Sequence, residues 1–237
     1  MEPFFSAHDI EAAYGRLQVL WGVDLALGRG EVAVLLGANG AGKTTLLKAL
    51  IGLRPLLKGE ITLGGQRVER LRPDVRVQRG IHYMTELGVF PNLSVDENLL
   101  VGGFGLARAE LRRRIKDLHE TFPDLGRLHA AHAASLSGGQ RKMLAVAKAI
   151  VVPPRLLLMD EPSAGLSPRF VAEVVAVLRR LREDGPTMLI AEQNVKFLEI
   201  ADRAYVLDGG RISFAGSVAE LAADDAVRQA YFGVSGH

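Results

Sequence analysis

The chain has 237 residues, 48% of them hydrophobic, enough for one large α/β domain or a core with a smaller lobe. Its 29 basic and 27 acidic residues leave a formal charge of +2, too even a balance for a protein that holds nucleic acid through a basic field. There is no cysteine, which excludes disulfides and thiolate metal sites and fits a reducing compartment.

Phe4 and Phe5 are followed within a few residues by His8 and Asp9, so no secretory leader is expected, and no apolar run approaches the ~20 residues a spanning helix needs. Residues 8–27 alternate apolar and polar around a Tyr14-Gly15-Arg16 turn and predict antiparallel strands. On this pattern alone Tyr14 is a half-buried aromatic at a strand end. Glu31 to Leu36 is a continuous apolar run, read as a buried strand, and Leu46 to Ile51 is apolar on one helical face. Between them Gly37-Ala38-Asn39-Gly40-Ala41-Gly42-Lys43-Thr44-Thr45 fits G-x-x-x-x-G-K-[ST]. Glycines there let backbone amides curl around phosphates, the helix N-terminus adds positive charge, and Lys43 reaches the outer phosphates. The Thr44 hydroxyl is placed to ligate Mg²⁺, so the segment predicts a bound nucleoside triphosphate. Another strand over Glu60–Leu63 closes at Gly64-Gly65.

From about 92 to 150 the periodicity is helical, which predicts an inserted helical lobe. Within it Leu111, Ile115 and Leu118 share a face, and Arg112-Arg113-Arg114 read as a solvated face with a Glu110–Arg114 pair. Leu136-Ser137-Gly138-Gly139-Gln140 opens a helix running to Ile150, with a serine and bare glycine amides that suit an anion. After Val152-Pro153-Pro154, the run Leu156 to Asp160 predicts a buried parallel strand that delivers Asp160 to its C-terminal edge as an Mg²⁺ ligand. Glu161, one residue on, is placed as general base toward an attacking water. Pro168 starts a helix to Glu183 with Phe170, Val174, Val177, Leu178 and Leu181 on its buried face, and Gly185-Pro186 ends it before a strand from Thr187. Ala204–Asp208 and Arg211–Phe214 form a hairpin across Gly209-Gly210, and Ser217 to Glu220 is a capping box. His129 and His132 lie three apart without a sequence neighbour to complete a zinc site, and His82 and His119 read as packing or surface residues.

The phosphate loop and the downstream pair Leu136–Gln140 and Leu156–Pro162 resemble the ATP-binding cassette (ABC) ATPases, almost end to end. The resemblance implies an α/β P-loop NTPase core with an N-terminal antiparallel β subdomain and an inserted α-helical subdomain. One domain would span 1–237, with 1–86 and 153–237 forming the core and β subdomain and about 87–152 the helical subdomain. Two cassettes of that family sandwich two ATP molecules. Ser137 and Gly139, within the segment that includes Gly138 and Gln140, would then touch the γ-phosphate bound by the partner. The resemblance further places Tyr14 on adenine, Gly37 through Thr45 on the phosphates, and Thr44, Asp160 and Glu86 at Mg²⁺. Glu161, Gln193 and Lys43 become the catalytic group.

Val101-Gly102-Gly103-Phe104, Thr121 to Leu125, Glu192-Gln193-Asn194, Ala201 to Leu207 and Asp225 to Gly233 are similar to the LivF type, ATPases of importers for branched-chain and related hydrophobic amino acids or small amides. Gln193 stands where most cassettes have a switch histidine, and Glu86 where they have a flexible-loop glutamine; both also occur in LivF-like chains. The segment Thr85 to Phe90 lacks that group's arginine and is shorter. The expected partners are a second cassette, identical or paralogous, an integral membrane permease and, indirectly, a secreted solute-binding protein, but no nucleic acid. The expected place is the cytoplasmic face of the inner membrane. The loop from Glu86 through Leu93, with the start of the helical lobe up to Phe104, is expected either to form a groove for a permease helix or, through Val89, Phe90 and Leu93, to pack the lobe onto the core. A lipid or urea transporter remains an alternative. A soluble cassette acting on nucleic acid is disfavoured by the single cassette without a long insertion, and a scaffold without turnover by the presence of Lys43, Asp160 and Glu161.

Overall fold

The computed structural model describes residues 2–86, 88–183 and 185–224. The C-terminal resemblance over Asp225 to Gly233 lies outside them. The strands are β1 (Phe5–Tyr14), β2 (Leu17–Leu27), β3 (Val32–Leu36), β4 (Lys58–Leu63), β5 (Gln66–Arg67), β6 (Ile81–Met84), β7 (Leu156–Asp160), β8 (Thr187–Glu192), β9 (Arg203–Asp208) and β10 (Arg211–Ser217). The helices are α1 (Lys43–Ile51), α2 (Pro73–Gln78), α3 (Val95–Gly102), α4 (Arg108–Thr121), α5 (Pro123–Arg127), α6 (Gly138–Ile150), α7 (Pro168–Glu183) and α8 (Val218–Ala223).

Two sheets result. The first, ordered β2-β1-β4-β5, is antiparallel throughout. The second, ordered β10-β9-β3-β8-β7-β6, is parallel from β9 to β6, with β10 antiparallel at one edge. Its central strands have both faces covered. Val34, Leu36, Leu157, Met159, Met188 and Ile190 pack into one core with α6 and α7, while Ala33, Leu35, Leu156, Leu158, Leu189 and Ala191 pack into another with α1 and the first sheet. Alternate residues thus enter opposite cores, which is why these strands read as unbroken apolar runs instead of alternating ones.

Between β6 and β7 the described residues contain helices and no strand, apart from an isolated bridge between Ser94 and His132. Capping boxes open α3, α6 and α8, with Ser94, Ser137 and Ser217 each paired to the acid or amide three residues on. The Glu110–Arg114 pair forms at 2.8 Å on α4. The buried stripe of α7 differs from the sequence expectation: it is Val171, Val174, Val175 and Leu178, while Phe170, Val177 and Leu181 are only half-buried. The stripe is rotated because Phe170 leans on Gly139 of α6, where an added Cβ would sit 2.3 Å from its ring.

Two polar ties hold the layers that carry the loops. The Tyr205 hydroxyl on β9 donates to the Ala26 carbonyl at 2.7 Å and accepts from its amide at 3.0 Å, joining the two sheets. Arg76 of α2 is buried and donates to the carbonyls of Ala49 (3.0 Å) and Leu50 (2.6 Å) at the end of α1, and to those of Glu69 (2.7 Å) and Leu71 (3.0 Å). The Ala49 carbonyl also accepts from the Gly52 amide at the helix end (3.1 Å), so the guanidinium adds a second donor there and supplies the Leu50 carbonyl, buried where water does not reach. Among the described residues no helix is long and apolar enough to cross a membrane.

Candidate functional site

Parallel strands converge their C-terminal ends on one edge of the sheet, where β3, β8, β7 and β6 deliver the loops that follow them. The β3–α1 loop turns at Gly40 and Gly42, with φ of 81° and 110°, a conformation L side chains rarely adopt. Gly37 is needed for another reason: a Cβ there would lie 2.6 Å from the Leu207 carbonyl oxygen of β9. Lys43 is buried, 4% exposed, and its Nζ donates to the carbonyls of Gly37 (2.7 Å) and Ala38 (3.2 Å) and stands 3.2 Å from Glu161 Oε1.

Across the loop the Thr44 hydroxyl donates to Asp160 Oδ1 at 3.0 Å, and the Tyr83 hydroxyl on β6 donates to Asp160 Oδ2 at 2.9 Å. Burial raises the Asp160 pKa above the ordinary carboxylate value, against the opposing pull of these two donors. Tyr83 is pushed far above a normal phenol by burial and by the adjoining carboxylate, so its hydroxyl remains a donor. Thr44 and Asp160 together offer hard oxygen ligands, the donor set that suits Mg²⁺. Glu86, expected beside them, is exposed; its backbone carbonyl is held by Lys142 Nζ at 2.8 Å, and its charge acts on Tyr83 and Lys142.

Glu161 follows β7 in the left-handed region, φ 46°, with its amide bonded to the Ala191 carbonyl at 2.9 Å. Gln193 follows β8 and its side-chain amide donates to Asn39 Oδ1 of the phosphate loop. The turn at Gln193 is braced by Glu192, a buried carboxylate that accepts from the amides of Ser163 (2.7 Å), Gln193 (3.1 Å) and Asn194 (3.3 Å). Tyr14 sits at the β1–β2 turn, 39% exposed, with the Arg54 guanidinium 3.8 Å over its ring. A hydrogen bond with Thr45 holds its hydroxyl below the ordinary phenol value.

Ser137 and Gly138 are exposed at the N-terminus of α6, Gly139 is packed on Phe170, and Gln140 completes the capping box. Sequence reasoning did not single out Tyr83, Lys142 or, as a brace, Glu192. The first two act across 77 and 19 or more residues of chain on partners no local motif announces. Elsewhere, tertiary packing brings Asp96 of α3 to 2.9 Å from His119 and 3.5 Å from His129, while His132 turns to the Asn92 carbonyl. Among the described residues no group of three histidine or acidic side chains is arranged to hold a metal ion.

A glycine loop between a buried strand and a helix, with a buried lysine and a strand-end aspartate bonded to the loop threonine, defines a P-loop nucleotide-binding protein. Comparison with known proteins is narrower. A profile of the ABC transporter family matches residues 20–164. The chain is 37% identical to the high-affinity branched-chain amino acid transport ATP-binding protein BraG of Pseudomonas aeruginosa, over 94% of this chain and 97% of that protein. It is 39% identical to the probable branched-chain amino acid transport ATP-binding protein LivF of Archaeoglobus fulgidus, over 90% of this chain and 91% of that one. The fold matches the ADP conformation of MJ1267, an ATP-binding cassette of an ABC transporter, with a TM-score of 0.85 at 24% identity, over 99% of this chain and 100% of that one. The chain belongs to the ABC transporter family as one of its ATP-binding proteins, and it is an ATPase.

Proposed function

We propose that this ATPase serves an importer of branched-chain or related hydrophobic amino acids, working as a dimer of cassettes on the cytoplasmic side of the membrane beneath a permease. The solute class rests on the likeness to BraG and LivF. The observation that carries the mechanism is the meeting, at one sheet edge, of the phosphate loop, Asp160, Glu161 and Gln193. In this reading the amides of Gly37 to Thr45 and the Lys43 ammonium hold the β- and γ-phosphates of ATP, and Tyr14 stacks on the adenine. Bound Mg²⁺, held by Thr44 and Asp160 with Glu86 nearby, would neutralise charge on the phosphate oxygens.

Glu161 takes the proton of the attacking water, and Gln193 donates a hydrogen bond to the γ-phosphate from its side-chain amide. That amide carries no proton that titrates near neutrality, so Glu161 is left as the base. The exposed N-terminus of α6, with Ser137, Gly138, Gly139 and Gln140, meets the γ-phosphate of the partner cassette. Each γ-phosphate then bridges two subunits; hydrolysis removes the bridge, and the dimer reopens to drive the permease.

Glu161→Gln keeps the shape and removes the base. Hydrolysis should fall by at least about 10²-fold while ATP still binds, and an ATP-held dimer should accumulate on gel filtration. Wild-type hydrolysis by this variant would remove Glu161 from the mechanism. Loss of the chain should abolish uptake of labelled leucine in cells; unchanged uptake would move the solute elsewhere.

A further inference from the structure

Lys142 lies on α6, five residues past the Ser137 cap, and its ammonium leaves the helical lobe altogether. It donates to two backbone carbonyls: Glu86, in the segment after β6, at 2.8 Å, and Glu161, after β7, at 2.9 Å. One side chain therefore ties the helix of the Leu136–Gln140 motif to the catalytic strand end and to the segment after β6. Burial lowers its pKa, and the carboxylates of Glu86, Glu192, Glu161 and Asp160 oppose that shift.

The Glu161 carbonyl is a revealing place for such a tie. Among the described residues only Asp9 and Glu161 are non-glycine positions with positive φ. A side-chain-bearing residue keeps that conformation only where its surroundings over-determine it, and such residues gather at working sites. The restraints on Glu161 can be named: its amide bonds to Ala191 (2.9 Å), its carbonyl accepts from Ala164 N (3.1 Å) and Lys142 Nζ, and its carboxylate faces Lys43. The backbone angles at residue 161 set where the carboxylate points, so a donor that fixes the carbonyl also aims the base.

We propose that Lys142 is a positioning residue for ATP hydrolysis, fixing the backbone of Glu161 from α6 and linking it to the segment at Glu86. The proposal rests on the reading of Glu161 as general base. It assigns Lys142 no contact with the nucleotide: the phosphate loop is built by other residues, so ATP affinity is independent of it and turnover is not. A shift of α6 or of the segment after β6 reaches the base through this one ammonium.

The test uses the full chain with three variants, read by thermal melting, by affinity for a fluorescent ATP analogue, and by kcat. Lys142→Met keeps the apolar stem and removes the donors; kcat should fall about 10-fold or more while nucleotide affinity stays within about 3-fold, as expected when a reacting group is misplaced. Lys142→Gln supplies neutral donors and should recover most of the lost kcat. In a Glu161→Gln background, Lys142→Met should lower residual hydrolysis no further. If Lys142→Met does not fold, Lys142→Ser, which admits water to both carbonyls, is read in its place with the same expected loss. A wild-type kcat in Lys142→Met beside an inactive Glu161→Gln overturns the role of Lys142 and leaves the base in place. Equal loss of kcat and nucleotide affinity in both Met and Gln variants overturns it in favour of a structural strut. An active Glu161→Gln overturns the base and this proposal together.

Discussion

At the scale of single residues the site works through groups that hold other groups. Gln193 reaches the phosphate loop through Asn39, and Asp160 is shared between Thr44 and Tyr83. Gln193→Ala should raise the barrier to hydrolysis by about 1–3 kcal/mol, the range for one lost donor to a charged group. Because Asn39 orients that amide, Asn39→Ala should share the loss, and the double variant should fall short of the sum. Steady-state kcat of the four proteins in this cycle decides it; a wild-type rate for Gln193→Ala would reduce the residue to packing. The phosphate loop and Asp160-Glu161 were legible in the sequence, because their chemistry depends on contiguous residues. Tyr83 was not, since its place at the end of a short strand looks like any half-buried aromatic until β6 is laid beside β7.

At the scale of elements, α1 presents Lys43, Thr44 and Thr45 to the site, and its far end is anchored by the buried fork of Arg76. Arg76→Ala leaves the Leu50 carbonyl at the end of α1 without its donor, in a place water reaches poorly. The chain should lose about 1–3 kcal/mol, measured by urea unfolding, the range for leaving a buried acceptor without its hydrogen bond. A loss below about 0.5 kcal/mol would mean that water caps the helix just as well. Most elements were legible because each has its own period and stop. Of the expected face of α7, Val174 and Leu178 are buried and Val177 and Leu181 pack against the core, but Val171 takes the place expected of Phe170, which instead packs on Gly139.

At the scale of the whole molecule, the helical lobe turns an apolar surface outward. Leu100, Val101 and Phe104 follow one another at helical spacing on and just after α3, with Phe104 93% exposed, and Phe90 lies exposed with Lys148 over its ring. Val89 instead packs against the core, as the second of the two expected roles has it. We propose this exposed patch as the surface on which a permease helix docks. Phe104→Glu should leave the ATPase activity and melting of the isolated chain unchanged, because the side chain touches little of its own fold. Transport in cells should fall severalfold; full transport by the folded variant would move the docking surface elsewhere.

The sequence by itself determined the nucleotide-binding loop, the strands of the central sheet other than β6 and the helical character of the lobe. Each is written in residues that are neighbours along the chain or repeat at the period of a helix or strand. Only the tertiary structure decided the strand order, which slots β8 between β3 and β7 and so brings Gln193 to Asn39. It also decided that Lys142 reaches two distant carbonyls, and which apolar residues of the lobe are left outside. A backbone carbonyl can accept from any donor that packing delivers, and an apolar side chain is buried or exposed according to what covers it. Neither leaves a mark in the local sequence.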